Sequence, residues 1–266
     1  MAEPGEVRLI HADWLEVLRH VSPGSVDWVY ADPPFNTGKV HADRSEREAG
    51  SFEDRFGTSR EYMDWLEPRV RATLEVLKPT GSIMLHLDWR TSHRARVMLD
   101  DLLGEACFIN HLVWAYGLGG SSPRRFARKH DDLLWYSRQP DGHWFTPPMV
   151  ASTSLRMKGR LKKSTDVLTV PSINNMALER TGYPTQKPLT LLKLLVGACC
   201  PPGGTVLDPC CGSGTTLVAA KELGRNAIGI DVSTKAMAVA RSRLASRPIG
   251  VEINEPRGVP TGPARS

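Results

Sequence analysis

Thr205-Val206-Leu207-Asp208-Pro209-Cys210-Cys211-Gly212-Ser213-Gly214-Thr215-Thr216 decides how the rest of the chain is read. A short apolar run ends in an aspartate, a loop with two glycines follows, and Thr215 to Leu223 then has the apolar spacing of a helix. Beyond it, Ala227-Ile228-Gly229-Ile230 is a second β-prone run, closed by Asp231. Strand, glycine loop, helix and acid-ended strand make one βαβ unit. The glycines let backbone approach a ligand with no Cβ in the way. An acid ending the second strand can accept hydrogen bonds from ribose hydroxyls. The unit therefore suits a nucleoside, although it is not the dinucleotide pattern GxGxxG, because Thr215-Thr216-Leu217 follows Gly214. On the glycine loop alone, a plain βα turn is the competing reading.

Outward from this unit the same alternation continues. Thr190 to Cys199 reads as a helix, turned by Gly203-Gly204 into the strand just described, and Ser233 to Leu244 reads as the helix after it. Near the N-terminus, Val7-Arg8-Leu9-Ile10 is a short strand, Asp13 to Val21 has helical spacing, and Val26 to Tyr30 is a compact β-prone run. Apolar residues at helical intervals mark Tyr62 to Leu77, Lys78-Pro79-Thr80-Gly81 is expected to turn the chain, and Ser82 to Leu87 reads as a buried strand. Thr91 to Leu103 is a further helix, and Phe108 to Trp114 and Asp132 to Tyr136 are further strands. Alternating strands and helices predict an α/β fold with a parallel, doubly wound sheet. From Gln139 to Thr181 turn and basic residues show no sustained period, which predicts an insertion or arm outside the sheet core. From Arg247 to Ser266 the chain is rich in Pro and Gly and is expected to be loose.

The second stretch with chemistry is Asp32-Pro33-Pro34-Phe35, which the Val26–Tyr30 strand delivers to the sheet edge where ligands of open α/β folds bind. An exocyclic amine on a nucleobase is a poor nucleophile because its lone pair is delocalised into the ring. Two acceptors aimed at its hydrogens favour a more tetrahedral nitrogen and free that pair. Asp32 offers a carboxylate and Pro33 a carbonyl, and the prolines fix φ and hold both still. Phe35 can stack on a base face, which an extruded base needs. A strand-ending Asp-Pro turn is the bland reading. The full combination arises by chance in about one chain in a hundred of this size.

Composition bounds the rest. The 266 residues suit one large domain, or one domain with an insertion; 41% are hydrophobic and 24% charged, as in a soluble globular chain. No apolar run approaches a membrane span, and MAEPGEVRLI lacks the layout of a signal peptide, so a cytoplasmic location is expected. The formal charge of +5 is modest, but the basic residues cluster. Arg124, Arg125, Arg128 and Lys129 form one group; Arg156, Lys158, Arg160, Lys162 and Lys163 form another. Such clusters attract phosphate backbones, and solvated loops are the alternative. The five cysteines, an odd count without CxxC spacing, read as buried or loop thiols and not as a disulfide framework or zinc site.

Taken in order, these stretches resemble the amino-methyltransferases of bacterial DNA modification in their β arrangement, where the catalytic motif comes first and the cofactor motif last. Asp32-Pro33-Pro34-Phe35-Asn36 matches the catalytic DPPY/DPPF motif, and Leu77-Lys78-Pro79-Thr80-Gly81-Ser82 the LKPGGS segment, with Thr80 for a glycine. Arg124 to Asp131 resembles the family's basic segment, Thr185-Gln186-Lys187-Pro188 matches TQKP, and Asp208 to Thr216 matches DPFxGSGTT, with Cys210 at the phenylalanine position. The resemblance covers about Val7 to Leu244. It implies a Rossmann-like, seven-stranded, mostly parallel sheet with helices on both faces and a partly irregular target-recognition insertion. It divides the chain into a catalytic half at 1–116, a basic loop and target-recognition insertion at 117–181, a cofactor-binding half at 182–246 and a tail at 247–266.

The cofactor so implied is S-adenosylmethionine, held by Asp208, Pro209, Cys210, Gly212, Gly214 and Thr215, with Asp231 on the ribose and Gln186, Lys187 and Pro188 along its other side. Asp32, Pro33, Pro34 and Phe35 are the implied catalytic residues. Arg124, Arg125, Arg128, Lys129, Lys158, Arg160, Lys162 and Lys163 are the implied contacts to double-stranded DNA. No metal is required, since the sulfonium is already electrophilic. The family's adenine enzymes more often begin the catalytic motif with Asp and its cytosine enzymes with Ser, so N6 of adenine is favoured over N4 of cytosine. An RNA or protein amine methyltransferase, and a non-catalytic DNA-binding protein on the same fold, are the other readings. Related enzymes are often dimers, which makes a homodimer at the nucleoid the expected working form.

Overall fold

A computed structural model describes residues 5–41, 52–117, 121–152, 154–174 and 176–246. The tail expected at 247–266 lies outside the described residues. The strands are β1 (Val7–His11), β2 (Val26–Ala31), β3 (Lys39–His41), β4 (Phe52–Asp54), β5 (Leu77–Leu87), β6 (Phe108–Ala115), β7 (His130–Ser137), β8 (Met149–Ala151), β9 (Leu161–Lys163), β10 (Val167–Leu168), β11 (Thr205–Asp208) and β12 (Asn226–Asp231). The helices are α1 (Trp14–Leu18), α2 (Ser59–Val76), α3 (Ser92–Leu103), α4 (Leu189–Cys199), α5 (Thr215–Glu222) and α6 (Thr234–Ala245). Local chemistry sets several helix starts. Thr58 and Glu61 cap α2 reciprocally, Asp13 accepts from the Leu15 amide ahead of α1, and Ser233 accepts from the Ala236 amide ahead of α6.

One sheet organises the molecule, in the order β1-β12-β11-β2-β5-β7-β6-β10. All neighbours pair parallel except β7, which is antiparallel to both β5 and β6. Both faces are covered. Along β2, Trp28 and Tyr30 join the cluster built with α4, α5 and α6, while Val29 and Ala31 join the cluster built with α1, α2 and α3. A strand buried on both sides is a continuous apolar run, as expected for a parallel sheet between helical layers.

Two expectations need correction. Lys78-Pro79-Thr80-Gly81 does not turn the chain; it is the first part of β5, whose pairing with β2 shifts register between Val26 and Trp28. An irregular ladder accommodates Pro79, which has no N–H to give. Nor does the stretch 139–181 lie wholly outside the sheet. It supplies the eighth strand, β10, which lies parallel to β6; Leu168 is buried and the Trp114 indole N–H donates to the Val170 carbonyl at 2.7 Å. A two-residue strand carries no period to read. Among the described residues of that stretch, β8 and β9 form a separate antiparallel pair. Among the described residues, no helix is long and apolar enough to cross a membrane.

Candidate active site

Parallel pairing brings the two signature loops together. Val206 and Leu207 of β11 pair with Trp28 and Val29 of β2, so Asp208 and Asp32 leave the same edge of adjacent strands. β12 ends beside them in Asp231, and β1 beyond it leads to Asp13. Four strand ends thus present carboxylates along one crevice.

Asp32 is held on one oxygen and flanked on the other. Lys187 Nζ donates to its Oδ2 at 2.5 Å, and His86 Nδ1 lies 3.8 Å from its Oδ1. Lys187 arrives from the segment leading into α4. The Phe35 ring lies 5.6 Å from the His86 ring and 5.3 Å from Lys187 Nζ. Just beyond, Asn36 adopts a left-handed φ of 56°, and Asp54 accepts from the Asn36 amide at 2.6 Å and the Thr37 amide at 3.1 Å. The catalytic loop is therefore clamped from β4. The motif reading carried no sign of Asp54, because that contact depends on the antiparallel pairing of β3 with β4.

Asp32, Pro33, Pro34 and Phe35 line a cavity of about 210 Å³, together with Asp13, Trp14, Tyr183, Lys187, Pro209, Cys210 and Asp231. A smaller polar recess joins it between Asp32, Lys187, Asp208, Ser213, Thr215 and Thr216. Asp208 is buried, and burial pushes its carboxyl up to about 7 despite hydrogen bonds from Thr216 and the Cys210 amide. Burial likewise raises Asp231, whose Oδ2 accepts from the Gly212 amide at 2.8 Å and Oδ1 from the Ser233 amide at 2.8 Å. The glycine loop is built to a tight tolerance. A Cβ on Gly212, at φ 49°, meets the Tyr183 ring at 3.1 Å, and one on Gly214, at φ 72°, meets Ala240 at 2.9 Å.

Not every expected cofactor residue reaches the cavity. Gln186 turns into its own loop, accepting from Thr181 and donating to the Glu179 carbonyl at 2.6 Å, and Pro188 serves as the residue ahead of α4. Gly212 and Gly214 shape the loop without lining the cavity. Asp13 and Trp14, which the motifs did not single out, do line it, and Asp13 Oδ2 pairs with Arg69 at 3.0 Å. The five cysteines are free thiols; Cys210 alone among them is partly exposed.

The basic residues divide between two places. Arg124, Arg125, Arg128 and Lys129 lie in the β6–β7 connection, which opens at the catalytic edge. There the Arg128 guanidinium packs 3.3 Å from the centre of the Trp89 ring, itself 41% exposed, and Lys129 Nζ donates to the Gly117 carbonyl at 3.2 Å. Lys158, Arg160, Lys162 and Lys163 lie on β9 and the turn before it, in the separate two-stranded sheet.

The carboxylate-rich crevice, the glycine loop and the cavity fit a nucleoside that carries positive charge. Comparison with known proteins agrees. The family model described as DNA methylase matches residues 26–242. The Type II methyltransferase M.ScaI of Streptomyces caespitosus is 28% identical over 262 residues, covering 91% of this chain and 82% of that one. Among solved structures, PvuII DNA methyltransferase (cytosine-N4-specific) superposes with a TM-score of 0.64 at 17% identity over 91% of this chain and 89% of that one. The M1.HpyAVI–SAM complex superposes with a TM-score of 0.62 at 22% identity over 90% of this chain and 98% of that one.

Proposed function

The chain belongs to the DNA methylase family and is an S-adenosylmethionine-dependent DNA amino-methyltransferase, and on that footing we propose that it methylates N6 of adenine in double-stranded DNA through the Asp32 loop. The observation that carries this reading is Asp32 itself, an anchored carboxylate at the crevice edge beside the nucleoside cavity. Asp rather than Ser at this position favours adenine over cytosine.

Each part has a task. Bound in the cavity, S-adenosylmethionine supplies an electrophilic methyl group. Asp208 lies where a ligand's positive charge offsets the cost of its burial, Asp231 ends β12 at the ribose position, and Lys187 and Thr215 complete the recess. Asp32 Oδ1 and the Pro33 carbonyl accept the two amine hydrogens, while Lys187 keeps Oδ2 engaged. Accepting both hydrogens localises the nitrogen lone pair. Phe35 meets the base face. A base must leave the duplex to reach this loop, and Trp89 with Arg128 supplies an aromatic and cationic rim at the same edge. The remaining basic residues, including the β8–β9 group, hold phosphates and carry little base information.

Methylation of unmethylated plasmid DNA, followed by nuclease digestion and mass spectrometry of the nucleosides, tests the base. N6-methyladenine is expected; N4-methylcytosine as the sole product overturns the adenine assignment. A homodimer working at the nucleoid completes the proposal. Sedimentation velocity tests the dimer, and a monomer with undiminished activity removes it.

A further inference from the structure

An amine that gains a methyl carbon must lose a proton, or its nitrogen stays cationic. The ionisable groups around Asp32 include Lys187, Tyr30, His86 and the Asp208 carboxyl. Lys187 is already a cation. Burial, reinforced by the charge of Asp32, keeps the Tyr30 phenol protonated. The third is His86, fully buried at 0% exposure, with Nδ1 3.8 Å from Asp32 Oδ1. Of these first three, the imidazole alone is a base with room for a proton; Asp208 accepts instead from the Cys210 amide and the Thr216 hydroxyl, and among the described contacts none joins it to the Asp32 oxygens.

Its partners fix which nitrogen is basic. Nε2 lies 3.2 Å from Asp131 Oδ2, and Asp131 Oδ1 accepts from the Tyr116 hydroxyl at 3.0 Å. Burial pushes the Asp131 carboxyl up, but hydrogen bonds from His86 and Tyr116, with the charge of Lys187, hold the group below its ordinary value. An ionised carboxylate only accepts, so Nε2 carries the hydrogen. The Tyr30 hydroxyl, 2.6 Å from Nδ1, then donates to the lone pair there. The rings of Phe35, Trp114 and Tyr30 stand at 5.6, 5.7 and 5.9 Å and leave the imidazole no freedom to turn. The ionisable groups around it are Tyr30 from β2, Asp32 beyond it with Lys187 on its far oxygen, Asp131 from β7, and Tyr116 following β6.

We infer that His86 receives, through Asp32, the proton released by the target amine, and that Asp131 holds the resulting imidazolium. The inference rests on the amine-methylation reading above. One N–H bond breaks at the amine, an O–H bond forms and breaks at Asp32 Oδ1, and one N–H bond forms at His86 Nδ1. The Tyr30 hydroxyl turns from donor to acceptor, and Asp131 stays ionised. Oδ1 and Nδ1 must close from 3.8 Å to about 2.8 Å, a side-chain movement of about 1 Å. His86 touches no substrate, so it is a positioning residue that acts through Asp32.

His86→Gln keeps the size and hydrogen bonding of the side chain and removes its titration. On unmethylated plasmid DNA we expect this variant to bind S-adenosylmethionine and DNA within about 2-fold of wild type and to transfer methyl about 10²-fold more slowly in a single turnover. If His86 takes the proton, the wild-type rate should fall at acid pH and the rate of His86→Gln should not. Asp131→Asn, which weakens the hold on the imidazolium, should move that fall to lower pH. Nitrogen NMR of the cofactor-free protein, with the His86 signal assigned by its loss in His86→Gln, should show hydrogen on Nε2 and a lone pair on Nδ1. An active wild type with an equally fast His86→Gln overturns the relay, as does hydrogen on Nδ1 in the neutral ring. A wild type that transfers no methyl to DNA overturns the amine-methylation reading and the relay with it, a result distinct from either.

Discussion

Asp32 and Asp208 end neighbouring parallel strands at one sheet edge, yet their surroundings differ in kind. Asp32 has a lysine ammonium on one oxygen and an imidazole near the other. Asp208 is held by neutral donors, the Cys210 amide and the Thr216 hydroxyl, and burial raises its carboxyl to about 7. The first loop brings its own cation and can keep a carboxylate ready for a neutral amine. The second lacks that compensation and gains most from a ligand that carries positive charge. One backbone arrangement, a strand running into a loop, thus serves reaction in one case and binding in the other, and the neighbouring charges decide which.

That contrast can be broken at several points. The largest effect is expected at Asp32. Asp32→Ala should lower methyl transfer by about 10³-fold while S-adenosylmethionine affinity, read by calorimetry, stays near wild type; undiminished transfer ends the catalytic assignment. Asp208→Asn should do the reverse, weakening S-adenosylmethionine by about 10-fold or more through loss of a charge-assisted contact. It also has a pH signature without ligand. The folded value of about 7 lies above the ordinary 3.8, so the stability contribution is complete below about pH 4 and is lost as pH rises through 7. The Asn variant escapes that loss, and its melting temperature relative to wild type should climb between pH 5 and 8. A pH-independent difference contradicts the raised carboxyl.

Lys187→Met should slow transfer by about 10-fold, since Asp32 loses the ion pair that orients it. An equal loss in cofactor affinity alone would move Lys187 to the binding side of the comparison. The smallest effect is expected at the basic rim. Arg128→Ala should weaken DNA binding a few-fold and lower the slope of log K against log salt by about one, with no change in S-adenosylmethionine affinity.

The readable parts of the sequence were those whose meaning is local. Asp208 to Thr216 carries its strand, turn and helix start within one window, and Asp32 to Phe35 announces itself by its prolines. What escaped depends on residues meeting across the fold. His86 sat in an apolar run that read only as a buried strand, and its role needs Asp131, 45 residues away, to arrive from an antiparallel neighbour. Asp54 reaches Asn36 only after β3 pairs with β4. β10 is too short for periodicity, and Gln186 shares a motif with Lys187 while turning the other way.

The order of strands along the chain has a consequence during synthesis. β2, buried along its whole length, gains β5 early, but its other edge waits for β11, where Val206 meets Trp28; β1 waits until Ala227 meets Val7. At about 5–20 residues per second, the ribosome leaves that apolar edge without its partner for on the order of 10–40 s. A nascent chain released early would carry Asp32 but no cofactor loop, so transfer waits on completion of the polypeptide. The same delay makes the unfinished protein a natural client for chaperones.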